Sequence, residues 1–252
     1  MQWAEIKLFL DEKTEQYNQN SFIESDPVSI PHLFTNREDI EISGFLAATI
    51  SWGNRKAILK SARVLMELLD YQPYQFVCDA RSTDLARLKK FVYRTFNASD
   101  AETFILSLRN IYLYHGGLEK AMLSHPQDLK QSLIYFRHLF FEGNDPGHAS
   151  KHLADVSKNA SAKRLNMFLR WMVRNDNNGV DFGIWKSLSP ASLYLPLDLH
   201  TGNVSRKLGL LARTQNDWKA VEEITNNLRL LDPQDPVKYD FALFGLGIFE
   251  HF

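Results

Sequence analysis

The chain has 252 residues, 44% hydrophobic, 12% aromatic and 23% charged, which is enough for one large or two small globular units with a sizeable core. A single cysteine, Cys78, excludes an internal disulfide framework, a four-cysteine zinc site and an iron–sulfur cluster held by the chain's own thiolates. The net charge of −1 hides an asymmetry: residues 1–41 hold nine acids against three bases, so the rest of the chain carries a net +5. No apolar run approaches the roughly 20 residues of a bilayer crossing. "MQWAEIKLFLDEKTEQ" lacks the basic start of a signal peptide. A cytoplasmic location, without a membrane partner, is the expectation.

The pattern predicts helix nearly throughout, because apolar residues recur at 3.6-residue spacing and seldom alternate. "WAEIKLFLDEKTEQY" reads as an amphipathic first helix, and "SDPVSIPHLF" breaks it with two prolines and is expected to wrap the surface. "NREDIEISGFLAATISWG" follows, with Asn36 as cap and Gly53 as stop, and "NRKAILKSARVLMELLD" starts directly after it. Further helices are expected near 100–114, 127–142, 146–157, 162–174, 199–211, 216–230 and 236–249. Asp217 and Pro236 mark two of the starts. No linker separates independent domains. The fold class read from the residues is all-α, a single globular domain over 1–252 with two helical lobes.

Several residues could carry chemistry. In "SAKRLNMFLRWMVR", Leu165, Phe168, Leu169 and Met172 form a buried stripe, so Lys163, Arg170 and Arg174 are expected on the opposite, solvated face. A lysine flanked by Arg164 and Arg170 could act as a neutral nucleophile, or could simply belong to a basic surface. In "PLDLHTGNVSRKLGL", Pro196 biases the chain to an extended approach, and Asp198 is placed to cap a helix from Leu199. That aspartate is a plain cap, or a fixed carboxylate able to stabilise positive charge on a sugar ring. His200 could bind phosphate or be structural. His148 and His152 stand four apart in "GHASKH", but no third metal ligand can be named, so they read as surface residues and no metal is expected. Trp52, Asn54 and Arg55 in "SWGNRK" could stack on or hydrogen-bond a nucleotide, although Asn54 could equally be a cap. The residues "FGLGIF" and the stripe Gly44, Ala47, Ala48, Ser51 read as close helix packing.

Three segments together resemble the helix-hairpin-helix DNA glycosylase superfamily. "PLDLHTGNVSRKLGL" is similar to its signature of an aspartate, a histidine two positions on, and an arginine-bearing helix ending in leucine–glycine. "GFLAATISWGNRKAILKSARVL" resembles the early helix-turn-helix whose loop faces DNA, and "PVKYDFALFGLGIF" the late helix ending in glycine. More closely, "SAKRLNMFLRWMVR" and "DPVKYDFALFGLG" resemble an uncharacterised bacterial family at the edge of that superfamily. The pattern is nearest to archaeal 8-oxoguanine DNA glycosylases. "SKNASAKR" stands in place of the usual glycine-rich hairpin, within a hairpin-like region of about 146–174.

The resemblance implies two helical lobes around a cleft that receives a damaged base, such as an oxidised purine, flipped from a DNA duplex. It implies Lys163 as the nucleophile on the anomeric carbon and Asp198 as the assisting carboxylate, 35 residues further on. Arg164, Arg170, Arg206 and Lys207 would hold phosphates, with His200 beside them. Trp52 or Asn54 would fill the gap left by the base. No cofactor is required, and a monomer is favoured. The alternatives are a non-catalytic nucleic-acid binder on the same scaffold, or a helical protein-interaction module.

Overall fold

The computed structural model describes residues 2–143 and 145–252. In chain order the helices are α1 (Trp3–Tyr17), α2 (Asn20–Ser25), α3 (Arg37–Thr49), α4 (Arg55–Leu68), α5 (Pro73–Asp79), α6 (Ser82–Leu85), α7 (Ala98–Tyr114), α8 (Leu118–Met122), α9 (Leu129–Phe140), α10 (Lys163–Val173), α11 (Leu199–Lys207), α12 (Trp218–Leu231) and α13 (Tyr239–Ile248). Short 3-10 turns join several of them. The fold is all-α. Among the described residues only two isolated bridges pair in β fashion, Tyr93 with Phe96 and Ala160 with Asp217. No helix among them is long and apolar enough to cross a membrane.

The chain divides into two compact units. One joins the first 23 residues to Asp155–Phe252, and the other is Glu24–Ala154. The chain leaves the first of these units and returns to it.

In the discontinuous unit, α1 lies along α13 at very close range. Gly245 permits this: a Cβ added there would stand 2.1 Å from the Tyr17 ring. The N-terminal helix is tied to the chain end by Lys13, which reaches Glu250 at 2.7 Å, and by the Tyr239 hydroxyl, which donates to Asp11 at 3.0 Å. The core beneath is aliphatic, with Leu10, Leu197, Val204, Ile224, Leu228, Leu243 and Leu246 all buried. Each such side chain contributes roughly 1.5–3 kcal/mol by leaving water.

The continuous unit has an aromatic core. Phe45 of α3 meets Phe104 of α7 and Phe136 and Phe140 of α9, with ring centroids 5.4–6.1 Å apart. Such contacts favour edge-on and offset rings, as seen here. Two expectations fail in this unit. "SDPVSIPHLF" does not wrap the surface: Val28 and Ile30 are fully buried, because the prolines shape two 3-10 turns that turn these side chains under α3. Residues 146–157 are not an α-helix but the 3-10 turn Gly147–His152 and, beyond the unit's end at Ala154, the turn Val156–Lys158 of the discontinuous unit. The unit boundary falls inside the hairpin-like stretch 146–174 and divides its first arm, of which only the part up to Ala154 lies outside the unit that holds α10.

Candidate active site

Lys163 is the first residue of α10, and the chain enters that helix through a constrained turn. Asn159 and Ala162 both adopt left-handed backbone, with φ of 64° and 50°. For buried Ala162 this is uncommon, since the methyl crowds the following carbonyl. The turn is pinned to the start of α12: Trp218 N–H donates to the Asn159 carbonyl at 3.0 Å, and the Asn159 amide donates to Asp217 at 2.8 Å. The position of Lys163 is therefore dictated from both sides.

Asp198 is the N-cap of α11, as its sequence context predicts. One carboxylate oxygen accepts the Thr201 N–H at 3.0 Å, and the Asp198 carbonyl accepts from Gly202 N–H at 2.9 Å. The Asn216 amide also donates to that carbonyl at 2.9 Å, and Arg206 holds Asn216 at 2.5 Å. The other carboxylate oxygen is left to face Lys163. Its distance from the Lys163 Nζ is 3.9 Å, and the two side chains are 27% and 25% exposed. The lysine amine also rests 3.7 Å from the Met167 sulfur. A cation and an anchored carboxylate thus share one partly open spot.

Behind this pair lies a buried charge network that helical periodicity does not reveal. Arg170 is buried: it donates to Asp181 at 3.2 Å and to Asp240, and its guanidinium lies 4.3 Å from the Phe241 ring centre. Arg174 is buried too, bonding Asp235 at 2.8 Å, Asp181 at 3.1 Å and Asp176. Burial pushes the Asp240 carboxyl up to about 6, against the pull of Arg170 and Lys163 and with a push from Asp198. Asp240 therefore senses the Lys163–Asp198 pair electrostatically.

Arg170 and Arg174 are corrections to the sequence reading. All residues from Leu165 to Val173 are buried, so α10 has no solvated face along that stretch. Their carboxylate partners come from loops and from α13, beyond the reach of any local pattern. Arg170 therefore cannot hold a phosphate. Lys163 faces a carboxylate rather than an arginine cluster.

The remaining candidates divide. His200 and Lys207 are exposed on α11, the helix that Asp198 caps, and Lys207 lies 5.7 Å from the Phe252 ring centre. Arg206 is committed to bracing the following loop, donating to the Arg213 carbonyl at 2.8 Å as well as to Asn216. Arg164 is half-buried, and burial draws its pKa down to about 10. Trp52, Asn54 and Arg55 belong to the other compact unit. There Asn54 caps α4 by accepting the Ala57 N–H at 3.2 Å, Arg55 opens that helix, and Trp52 stacks on His152 with centroids 5.5 Å apart.

A model of the family described as "Protein of unknown function (DUF2400)" matches residues 26–249. Neither the curated proteins nor the solved structures contain a match to the chain.

Proposed function

Because the chain belongs to the DUF2400 family, whose description assigns no activity, we propose from its own geometry that it is a DNA glycosylase with abasic-site lyase capacity. The observation that carries this reading is the 3.9 Å approach of the Lys163 amine to the Asp198 carboxylate in a partly exposed position. The resemblance of "PLDLHTGNVSRKLGL" to a glycosylase signature supports Asp198 as the assisting carboxylate. The substrate class is a duplex bearing a damaged base, an oxidised purine among the candidates, extruded from the stack.

In the proposed reaction Lys163 first loses a proton to solvent. The neutral amine then attacks the anomeric carbon, forming a C–N bond as the glycosidic C–N bond breaks. The glycosidic electron pair leaves with the base, which takes a proton from solvent. Positive charge develops on the sugar ring, and the Asp198 carboxylate, held by the Thr201 N–H, stabilises it without having to reorganise. The ring then opens: the bond from the anomeric carbon to the ring oxygen breaks, that oxygen takes a proton, and the nitrogen lone pair closes the imine on Lys163. Exposed His200 and Lys207 on the same helix as Asp198 offer contacts to the phosphate backbone.

The test is borohydride trapping on a duplex containing an abasic site. Reduction of the imine gives a stable covalent adduct with wild-type protein and none with Lys163→Ala. Base release from a panel of damaged duplexes, assayed directly, covers chemistry that proceeds without the imine. A second reading, a nucleic-acid binder without chemistry, is favoured by the pairing of Lys163 with a carboxylate, which is how an ordinary structural ion pair also looks. Salt-dependent DNA binding with neither adduct nor base release establishes that reading instead.

A further inference from the structure

His148 and His152, four residues apart on a 3-10 turn, gain from the fold the third group that their local sequence lacks. It is Asp100, 48 and 52 positions earlier, in the first turn of α7. The His148 Nδ1 lies 2.8 and 2.9 Å from the two Asp100 oxygens, and the His152 Nε2 lies 3.1 Å from one of them. One donor atom from each of the three residues falls within 4.8 Å of the others. The geometry points to a binding site for one first-row divalent transition cation of the zinc class, held by Asp100, His148 and His152.

The donor chemistry fits. Two imidazoles and a carboxylate are a borderline set suited to zinc, cobalt or ferrous ions rather than to calcium or magnesium. Ligands sit about 2.0–2.2 Å from such an ion. A tetrahedral ion sets such ligands roughly 3.4 Å apart, so the two imidazole–carboxylate contacts need to open by only about half an ångström.

The surroundings are built rather than accidental. The Asp100 side chain has no exposed surface, and its oxygens are met by two imidazoles and the Asn97 N–H, at 2.9 Å. Among the described residues no lysine or arginine pairs with it, so a buried carboxylate rests on hydrogen bonds alone where a cation would compensate it more fully. His152 is 3% exposed and fixed between Trp52, stacked at 5.5 Å, and Phe96, edge-on at 4.8 Å. Such packing locks a ligand's orientation before the ion arrives. His148 is 45% exposed and supplies the route from solvent and the face on which a fourth ligand, water or substrate, would bind.

As the side chains stand, each ring nitrogen facing Asp100 directs its proton at the carboxylate. On binding, two N–H···O contacts become two N–metal bonds and one O–metal bond, and the ring protons move to the opposite nitrogens or to water. The Lys151 ammonium contacts the far nitrogen of His148. It therefore opposes both the tautomer the metal needs and the metal's charge.

The experiment uses tag-free full-length protein treated with chelator and then titrated with cobalt(II) and zinc(II). Visible d–d absorption reports the cobalt coordination sphere, and calorimetry gives stoichiometry and affinity. One equivalent should bind with micromolar or tighter affinity. His148→Gln, a change on an exposed ring, should weaken binding by more than about tenfold, and Asp100→Asn should do likewise, while Lys151→Ala should tighten it. Absence of saturable binding to wild-type protein, or binding unchanged in a folded His148→Gln variant, overturns the assignment. Borohydride trapping by Lys163 is a separate readout, so neither result prejudges the other.

Discussion

The Lys163 amine and the Asp198 carboxylate stand 3.9 Å apart across 35 residues of sequence, each at the start of its own helix. Neither position is free to drift. The α10 start is clamped to α12 by Asn159, and the α11 start is fixed by its cap and by the Arg206–Asn216 brace on the Asp198 carbonyl. Preorganisation of this kind is what an electrostatic role in a transition state demands. In the proposed reaction, cap and catalyst would be one residue using its two oxygens for two tasks.

Those two roles separate by substitution. Asp198→Asn keeps a side-chain oxygen for the Thr201 N–H and removes the charge facing Lys163, whereas Asp198→Ala removes both. Alanine should cost about 1 kcal/mol of stability and asparagine much less. Both should slow base release strongly if the carboxylate stabilises the sugar cation. Urea unfolding read beside the excision rate checks this; an asparagine variant with full activity would show the charge to be dispensable.

Ala162 holds a left-handed φ of 50° directly before Lys163. Glycine adopts that conformation without the Cβ penalty, but it also loosens the unfolded chain. Relief of the steric penalty outweighs the added freedom of the unfolded chain, so Ala162→Gly should stabilise the protein by roughly 0.5–1 kcal/mol. Thermal unfolding measures the sign. A lower Tm would mean that the buried methyl contributes more packing than strain.

Much of the fold is legible in the sequence because the signals are local. The 3.6-residue stripes of α1, α4 and α12 and the caps Asp198 and Asp217 need only neighbours to act. The first arm at 146–157 is not legible, because apolar spacing does not distinguish a short 3-10 turn from a helix. The charged residues escape a local reading for a different reason. Arg170 looks solvated from its own helix, and only its carboxylate partners Asp181 and Asp240, 11 and 70 positions away, make its burial tolerable. Asp100 as partner of two histidines is invisible on the same ground.

Breaking that arginine network should be severe. Arg170→Met retains most of the volume but strands Asp240 and leaves Asp181 only its bond to Arg174. Removing one member of a buried ion pair costs about 3–5 kcal/mol. The variant should therefore melt well below the wild type, and added salt should not rescue it, because buried charges are poorly screened. Equilibrium unfolding at two ionic strengths checks both statements; a loss under about 1 kcal/mol, the range of an exposed pair, would contradict them.

Asp240 sets a pH dependence whose sign runs against the usual carboxylate. Burial raises its folded pKa to about 6 from an ordinary value of 3.8. Between those values the folded state holds a proton that the unfolded state has released, so stability falls as pH rises through this window. Below pH 3.8 both states are protonated, and above about 6 both are ionised, so the change is confined to the interval between. At 1.36 kcal/mol per pKa unit the loss is on the order of 2–3 kcal/mol. Asp240→Asn cannot ionise and lacks this falling contribution. Its stability relative to wild type should therefore improve steadily from pH 4 to pH 7 on that scale, whatever its standing at either end. Urea unfolding of both proteins across the window gives the difference directly. A difference that is flat with pH would mean that Arg170 and Lys163 already hold the Asp240 carboxylate ionised in the folded protein throughout.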